Sequence, residues 1–345
     1  MVENINNKKV ITLTELIKEF EVENKKQKGH TVLTNAKRKA NDEFYTTIEP
    51  IENEMEFWAK QDAFRGRSIL LPCDPLDLFD GLVEGLKHSQ FWVYFHKNFE
   101  RLGLKSLRAT CLTFGELKNA KFYEYKGGDD NNLDAYIEYS VESDGDFNDP
   151  KLHPEFLKSD LVITNPPFSK LRLFLNVLTD LKLDFLIIAP QTIIKSFKFL
   201  TNYKNKHWFL GHTSVKPVFV DARSTREKLG KVVKGGPNCI WITSLKSILK
   251  SKRVKKNDIS FSTFDFYPDI INIDRFNDLN LAVEIYGKNQ LYGVPISALV
   301  NDNFNEKWEL LCCISECICD DKKHNKRAFV NGVQKFPRLI IKAKN

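Results

Sequence analysis

The sequence predicts an α/β protein whose core is a mostly parallel sheet with flanking helices. Three observations carry that prediction. Two short apolar runs, Leu161-Val162-Ile163-Thr164 and Asp184-Phe185-Leu186-Ile187-Ile188-Ala189, read as buried strands. Between them Leu171, Phe174, Leu175, Leu178 and Leu181 recur with the i, i+3, i+4, i+7 spacing of one helix face. Strand, helix, strand in this order is one βαβ unit, which joins parallel strands. The tetrapeptide Asn165-Pro166-Pro167-Phe168 falls at the carboxyl end of the first strand, where open α/β sheets hold their ligands.

That tetrapeptide has a definite chemistry. An amino group on a planar heterocycle is a poor nucleophile, because its lone pair is delocalised into the ring. Two acceptors aimed at its two N–H bonds localise the pair on nitrogen. The Asn165 side-chain oxygen is one such acceptor and the Pro166 carbonyl is the other. The prolines fix φ, and Pro167 keeps the residue before it out of the helical region, so the carbonyl has a set direction. Phe168 adds a face on which a planar base stacks. The competing reading is a plain turn, since Asn and Pro are common turn formers; the strand before and the aromatic after favour chemistry.

In chain order, Thr12 and Glu15 make a capping box, and Leu13, Leu16, Ile17 and Phe20 line one face of a short helix within residues 1–23. Residues 24–41 are polar and basic, either a phosphate-touching arm or a linker. Asp42 to Thr46 leads into a helix through Ile51, Met55 and Trp58. Ser68 to Pro72 reads as a strand ending in Cys73-Asp74-Pro75. Residues 76–102 read as helical, with Phe91, Phe95, Phe99 and Leu102 on one face and Gly103 as the stop. Leu107 to Leu112 is the next strand, and residues 121–142 form a hairpin around a Gly-Gly-Asp-Asp-Asn-Asn loop. Asp144-Gly145-Asp146-Phe147 sets two acids and an aromatic around a flexible Gly, fit for an adenine edge and face or for a turn. After Pro190 the sheet pattern weakens. Residues 265–280 look irregular and polar, and Arg327 to Ile341 reads as a hairpin with Asn331-Gly332 at its turn.

Composition bounds the function. The chain has 345 residues, 42% hydrophobic and 28% charged, as in a water-soluble globular protein. No run is long and apolar enough to span a membrane, and the opening Met-Val-Glu-Asn-Ile-Asn lacks signal-peptide character. Seven cysteines without scaffold spacing point to a reducing, cytoplasmic setting. Cys312, Cys313, Cys317 and Cys319, in an apolar run that reads as helical near His324, lack the paired spacing of a zinc site, so no metal is expected. The net charge is +7, yet residues 185–257 hold sixteen Lys and Arg against Asp221 and Glu227. That segment carries +14 and the remainder −7, which points to a polyanionic partner for one region.

Asp42-Glu43-Phe44-Tyr45-Thr46, Cys73-Asp74-Pro75, Asp144-Gly145-Asp146-Phe147 and Asn165-Pro166-Pro167-Phe168, in that order, resemble the EcoRI-type adenine-specific DNA methyltransferases. Gly236 to Thr243, Tyr292 to Ser297 and Val330 to Ile341 extend the resemblance over about residues 40–345. It implies a Rossmann-like S-adenosylmethionine-dependent methyltransferase fold with a C-terminal target-recognition region. It also implies methylation of adenine N6 in a specific duplex DNA site, with the base flipped out of the helix. By the same resemblance Phe44, Tyr45 and Thr46 would lie on the methionine side of the cofactor, and Cys73, Asp74 and Pro75 beneath it. Asp144, Asp146 and Phe147 would hold the adenosine; Asn165, Pro166, Pro167 and Phe168 would hold the target adenine. The glycine-rich turn of the wider superfamily is missing after the first strand, where Cys-Asp-Pro-Leu-Asp-Leu-Phe stands.

The expected organisation is an N-terminal helix and basic arm over 1–40, a cofactor-binding and catalytic domain over 41–200, a basic target-recognition region over 201–290, and a C-terminal segment over 291–345 that packs back on the core. Duplex DNA contacts are expected mainly from 185–257, with the 24–41 arm as a further candidate. A monomer suffices to methylate each strand in turn. The alternatives are methylation of RNA adenine or a protein Gln, or a DNA-binding relative without catalysis. The family suggests GAATTC as a candidate recognition sequence only.

Overall fold

The computed structural model describes residues 11–12, 44–74, 76, 83–84, 88–110, 119–215, 218–221, 232–234, 238–247, 261–301, 304–317 and 323–344. The chain divides into two compact units, Met1–Gln191 with Gly211–Leu245, and Thr192–Leu210 with Lys246–Asn345. The residue 24–41 arm, all but two residues of the expected N-terminal helix, and Pro75 lie outside the described residues. Ile11–Thr12 is a short strand parallel to Val83–Glu84.

The first unit is organised on an eight-stranded sheet. Its strands are β1 (Ser68–Leu71), β2 (Ser106–Thr110), β3 (Asn119–Tyr125), β4 (Ile137–Glu142), β5 (Leu161–Thr164), β6 (Asp184–Pro190), β7 (Phe209–Val215) and β8 (Cys239–Thr243). They lie in the order β7-β8-β6-β5-β1-β2-β3-β4. The four central strands β6, β5, β1 and β2 are parallel. Every residue of β1, β2 and β5 is buried, as expected of parallel strands covered on both faces. β3 and β4 extend one edge as an antiparallel hairpin, with Phe122 opposite Tyr139. On the other side β8 runs antiparallel to β6, with Trp241 opposite Ile188. The sheet therefore continues past Pro190, where the apolar pattern fades between widely separated runs.

Helix α1 (Ile48–Ala59) buries Ile51, Glu54, Met55 and Trp58. The buried Glu54 carboxylate accepts from Trp58 Nε1, from the His212 and Thr213 amides and from Thr213 Oγ1 at 2.6–2.8 Å. It thereby fastens α1 to β7. Helix α2 (Gln90–Lys97) starts at Ser89, whose Oγ accepts from the Trp92 amide. The expected helix over 76–102 is thus shorter: Val83–Glu84 is strand, and a second short helix, Phe99–Leu102, ends at Gly103 with φ 63°. The side-chain cap sets the start where periodicity alone runs on. Helix α3 (Leu171–Asp180) fills the crossover from β5 to β6, burying Leu171, Phe174, Leu175 and Leu178 as the spacing requires.

In the second unit a five-stranded sheet orders Ser262–Phe264, Tyr267–Asn272, Leu291–Pro295, Arg338–Ala343 and Trp308–Cys313. Helix α4 (Phe197–Lys204) belongs to the same unit and ties Tyr203 Oη to the Leu299 carbonyl at 3.0 Å. The stretch expected to be irregular, 265–280, holds the strand Tyr267–Asn272 and the start of helix α5 (Leu279–Tyr286). Its acids and amides turn outward or pair, as when Arg338 bonds Asn272 and Asp274. The Asn331-Gly332 turn is present, with φ 51° and 73°. Its two amides donate to the Asp265 carboxylate at 2.8 Å. The hairpin stops at Gln334; Arg338–Ala343 pairs instead with Leu291–Pro295 and Trp308–Cys313. Most of the cysteine-bearing run is strand rather than helix, followed by one turn, Ile314–Glu316.

Candidate active site

The Asn165-Pro166-Pro167-Phe168 turn leaves the carboxyl end of β5, in the middle of the parallel strands. Immediately before it, Thr164 Oγ1 donates to Asp74 Oδ2 at 2.7 Å, and both side chains are buried. Asp74 follows β1, and its amide donates to the Thr110 carbonyl at the end of β2. One residue thus gathers the carboxyl ends of β1, β2 and β5. Burial raises the Asp74 carboxyl from 3.8 to about 7, against the lowering by hydrogen bonds from Thr164 and Ser89. Ser89 is also the cap of α2, so the brace reaches that helix. Cys73 beside it is half-buried.

The turn itself is firmly built. The Asn165 side-chain oxygen is shielded from solvent and Pro166 is buried. Pro167 sits at φ −54°, ψ 122°, and Phe168 opens a single 3₁₀ turn to Lys170 that runs into α3. The Phe168 ring is half-buried against the main core. Pro166 and Pro167 have no N–H to bond elsewhere.

A second loop, Ser143 to Asp149, lies against Lys170 and Phe174, which follow this turn. The Asp146 amide donates to Asp144 Oδ1 and the Asn148 amide to Asp146 Oδ1, two successive turns closed by aspartates. Gly145 between them has φ 83°, a conformation that favours glycine. Lys170 Nζ meets Asp146 Oδ2 at 2.6 Å and stands 5.9 Å over the Phe147 ring. Phe147 is buried edge-on to Phe174 of α3, centroids 4.8 Å apart. Sequence reasoning misses Lys170. A lysine after Ser169 looks like any solvent-facing residue, and only the fold brings Asp146 to it.

The Phe44–Thr46 strand pairs antiparallel with Val218–Asp221, so part of the basic segment lies beside it. Thr46 is 4% exposed, and its buried Oγ1 has no hydrogen-bond partner among the described residues. The Phe44 and Tyr45 side chains lie outside what is described. Among the described residues no group of three or more His, Cys, Asp and Glu is arranged to hold a metal ion. Cys312 and Cys317 approach with their sulfurs 3.5 Å apart.

The chain resembles known methyltransferases over nearly its whole length. A profile described as adenine-specific methyltransferase EcoRI matches residues 32–344. The type II methyltransferase M.EcoRI of Escherichia coli is 31% identical over 342 residues, covering 91% of this chain and 96% of that protein. The type II methyltransferases M.MgeORF184P of Mycoplasma genitalium and M.MpnI of Mycoplasma pneumoniae are each 27% identical, over 89% of this chain and 97% and 96% of theirs. No solved structure matches. The chain belongs to the EcoRI family of adenine-specific methyltransferases.

Proposed function

We propose that this chain is a site-specific DNA adenine methyltransferase that places a methyl group on adenine N6, and that Asn165, Pro166, Pro167 and Phe168 hold the reacting base. The observation that carries the proposal is the rigid acceptor-bearing turn at the end of β5, braced from below through Thr164 and Asp74. Asn165 Oδ1 and the Pro166 carbonyl take the two N–H bonds of the amino group, and Phe168 stacks on the ring. The lone pair is then directed out of the ring plane, and the proton leaves to solvent after transfer. In duplex DNA that nitrogen lies in the stack, so the adenine must be flipped out to reach the turn.

S-adenosylmethionine is the methyl donor that fits, and it supplies an electrophilic methyl on a sulfonium. Two observations support the fit. The Thr46 hydroxyl, at the place proposed for the methionine end, is buried and has no hydrogen-bond partner among the described residues. Asp144 and Asp146 stand at the mouth of a preformed loop, proposed for the adenosine. Cys73, Asp74 and Pro75 would lie beneath the cofactor, with Phe44 and Tyr45 beside Thr46. The parallel strand core supports a Rossmann-like arrangement. The basic stretch from 185 to 257 would contact duplex phosphates, within a target-recognition region at 201–290, and a monomer would suffice.

The test uses tritiated S-adenosylmethionine with duplex DNA, RNA or protein, followed by location of the label. Label on adenine N6 of DNA supports the proposal; label on RNA or on a Gln side chain moves the substrate. Asn165→Ala is expected to abolish turnover while DNA affinity stays nearly intact, and near-normal turnover in that variant would refute the role of the turn. DNA binding should fall steeply with salt as phosphate contacts release counterions.

A further inference from the structure

The second unit exposes two large aromatic rings in stretches that contain no acid. Phe197, the first residue of α4, is 79% exposed, and Phe336 is 50% exposed. Residues 192–210 hold four lysines and residues 323–344 seven Lys and Arg, with no Asp or Glu in either. Lys195 joins the two places, since its Nζ stands 5.2 Å over the Phe336 ring while it precedes Phe197 by two residues. The base of the turn is fixed. Ser196 Oγ accepts from the Phe199 amide, and Ile193, Ile194, Phe199 and Leu200 are buried, so Phe197 projects from a firm mount.

A single exposed apolar side chain is ordinary on a protein surface. Two phenylalanines joined by a lysine, in basic segments where Asp274 is already paired with Lys335 and Arg338, make a surface complementary to a polyanion with flat apolar faces between its charges. Duplex DNA has that chemistry: phosphates for the lysines, and base steps into which an apolar ring wedges. Resting on the methyltransferase reading above, we infer that Phe197 is a wedge that enters the base stack of the duplex, with Phe336 and Lys195 seated on the backbone beside it.

The experiment compares wild type, Phe197→Ala, Phe197→Trp and Lys195→Ala, each as full chain, on plasmid-derived duplex DNA that the wild type methylates. Phe197→Ala is expected to weaken DNA binding about tenfold, as loss of one stacked ring does, with KM for S-adenosylmethionine and thermal midpoint unchanged. Its plot of log affinity against log salt should keep the wild-type slope, whereas Lys195→Ala should lower the slope by about one. Phe197→Trp should restore binding and add a DNA-dependent quenching of fluorescence that wild type, whose described tryptophans are buried, lacks. Wild-type affinity in Phe197→Ala, or fluorescence of the Phe197→Trp protein that DNA leaves unquenched, would overturn the inference. So would a change of oligomeric state in Phe197→Ala with DNA affinity intact, because the patch would then be a contact between copies. If wild type transfers no methyl to DNA, the methyltransferase reading itself fails; if it does and Phe197→Ala matches it, this inference fails alone.

Discussion

Replacing Asp74 by Asn tests the brace beneath the Asn165–Phe168 turn. The two side chains have the same shape, and Asn keeps an oxygen for the Thr164 hydroxyl, so the change removes charge and little else. Burial raises the Asp74 carboxyl from 3.8 to about 7, so the folded protein keeps this proton to higher pH than the unfolded chain does. Between those values folding takes up a proton, and stability must fall as pH rises, levelling off above the folded value. A shift of about three pH units corresponds to about 4 kcal/mol at most, of which about 3 kcal/mol falls between pH 5 and 8. Wild type and Asp74→Asn should therefore differ least at pH 5, and the variant should gain on wild type as pH rises. Urea unfolding of both proteins at pH 5, 6, 7 and 8 measures this. A difference constant to within about 0.5 kcal/mol across that range would mean that Asp74 is not held in a charge-excluding site. Asp74→Ala should behave differently, costing about 1–3 kcal/mol at every pH by leaving the Thr164 hydroxyl buried without its acceptor.

Lys170→Met should barely move the unfolding midpoint, because a half-exposed ion pair is worth less than about 1 kcal/mol. It should raise KM for S-adenosylmethionine about two- to fivefold through a loosened Asp146 loop, the most that a pair worth less than about 1 kcal/mol can transmit. Lys170→Arg should recover most of that loss, and equal KM values in the two variants would show that the link is idle. Gly211→Ala should cost about 1–3 kcal/mol, since the new methyl would collide with the Trp241 side chain and the Glu54 carboxylate where α1 is fastened to β7. An unchanged urea midpoint would contradict that packing.

The βαβ unit around Asn165 is legible in the sequence because each part is local: two strands, one helical stripe and two prolines lie within thirty residues of one another. The Asp74–Thr164 bond is not, since it joins residues 90 positions apart and both look like ordinary strand-end residues. Lys170 is hidden for the same reason, its partner lying 24 positions back in another loop. The strand Tyr267–Asn272 leaves little trace because Pro268 and Asp269 interrupt it and only three of its six residues are buried. The overlong helix before Gly103 arises from aromatic spacing that does not stop at the Ser89 cap. Periodicity reports which face is apolar; it does not report where a side chain reaches back to close the first turn.

The two prolines between Asn165 and Phe168 carry a further consequence. A stretch of backbone that lacks two consecutive amide hydrogens can present carbonyl oxygens to a visitor but has few protons to offer it. Such a turn welcomes a ring edge that donates and repels one that accepts. In the proposed complex an amino group would gain two partners there, while a keto oxygen at the same ring position would meet lone pair against lone pair. On the role proposed for Asn165 and Pro166, their two acceptors would favour adenine over its deaminated form, hypoxanthine, before any contact to the rest of the base is counted.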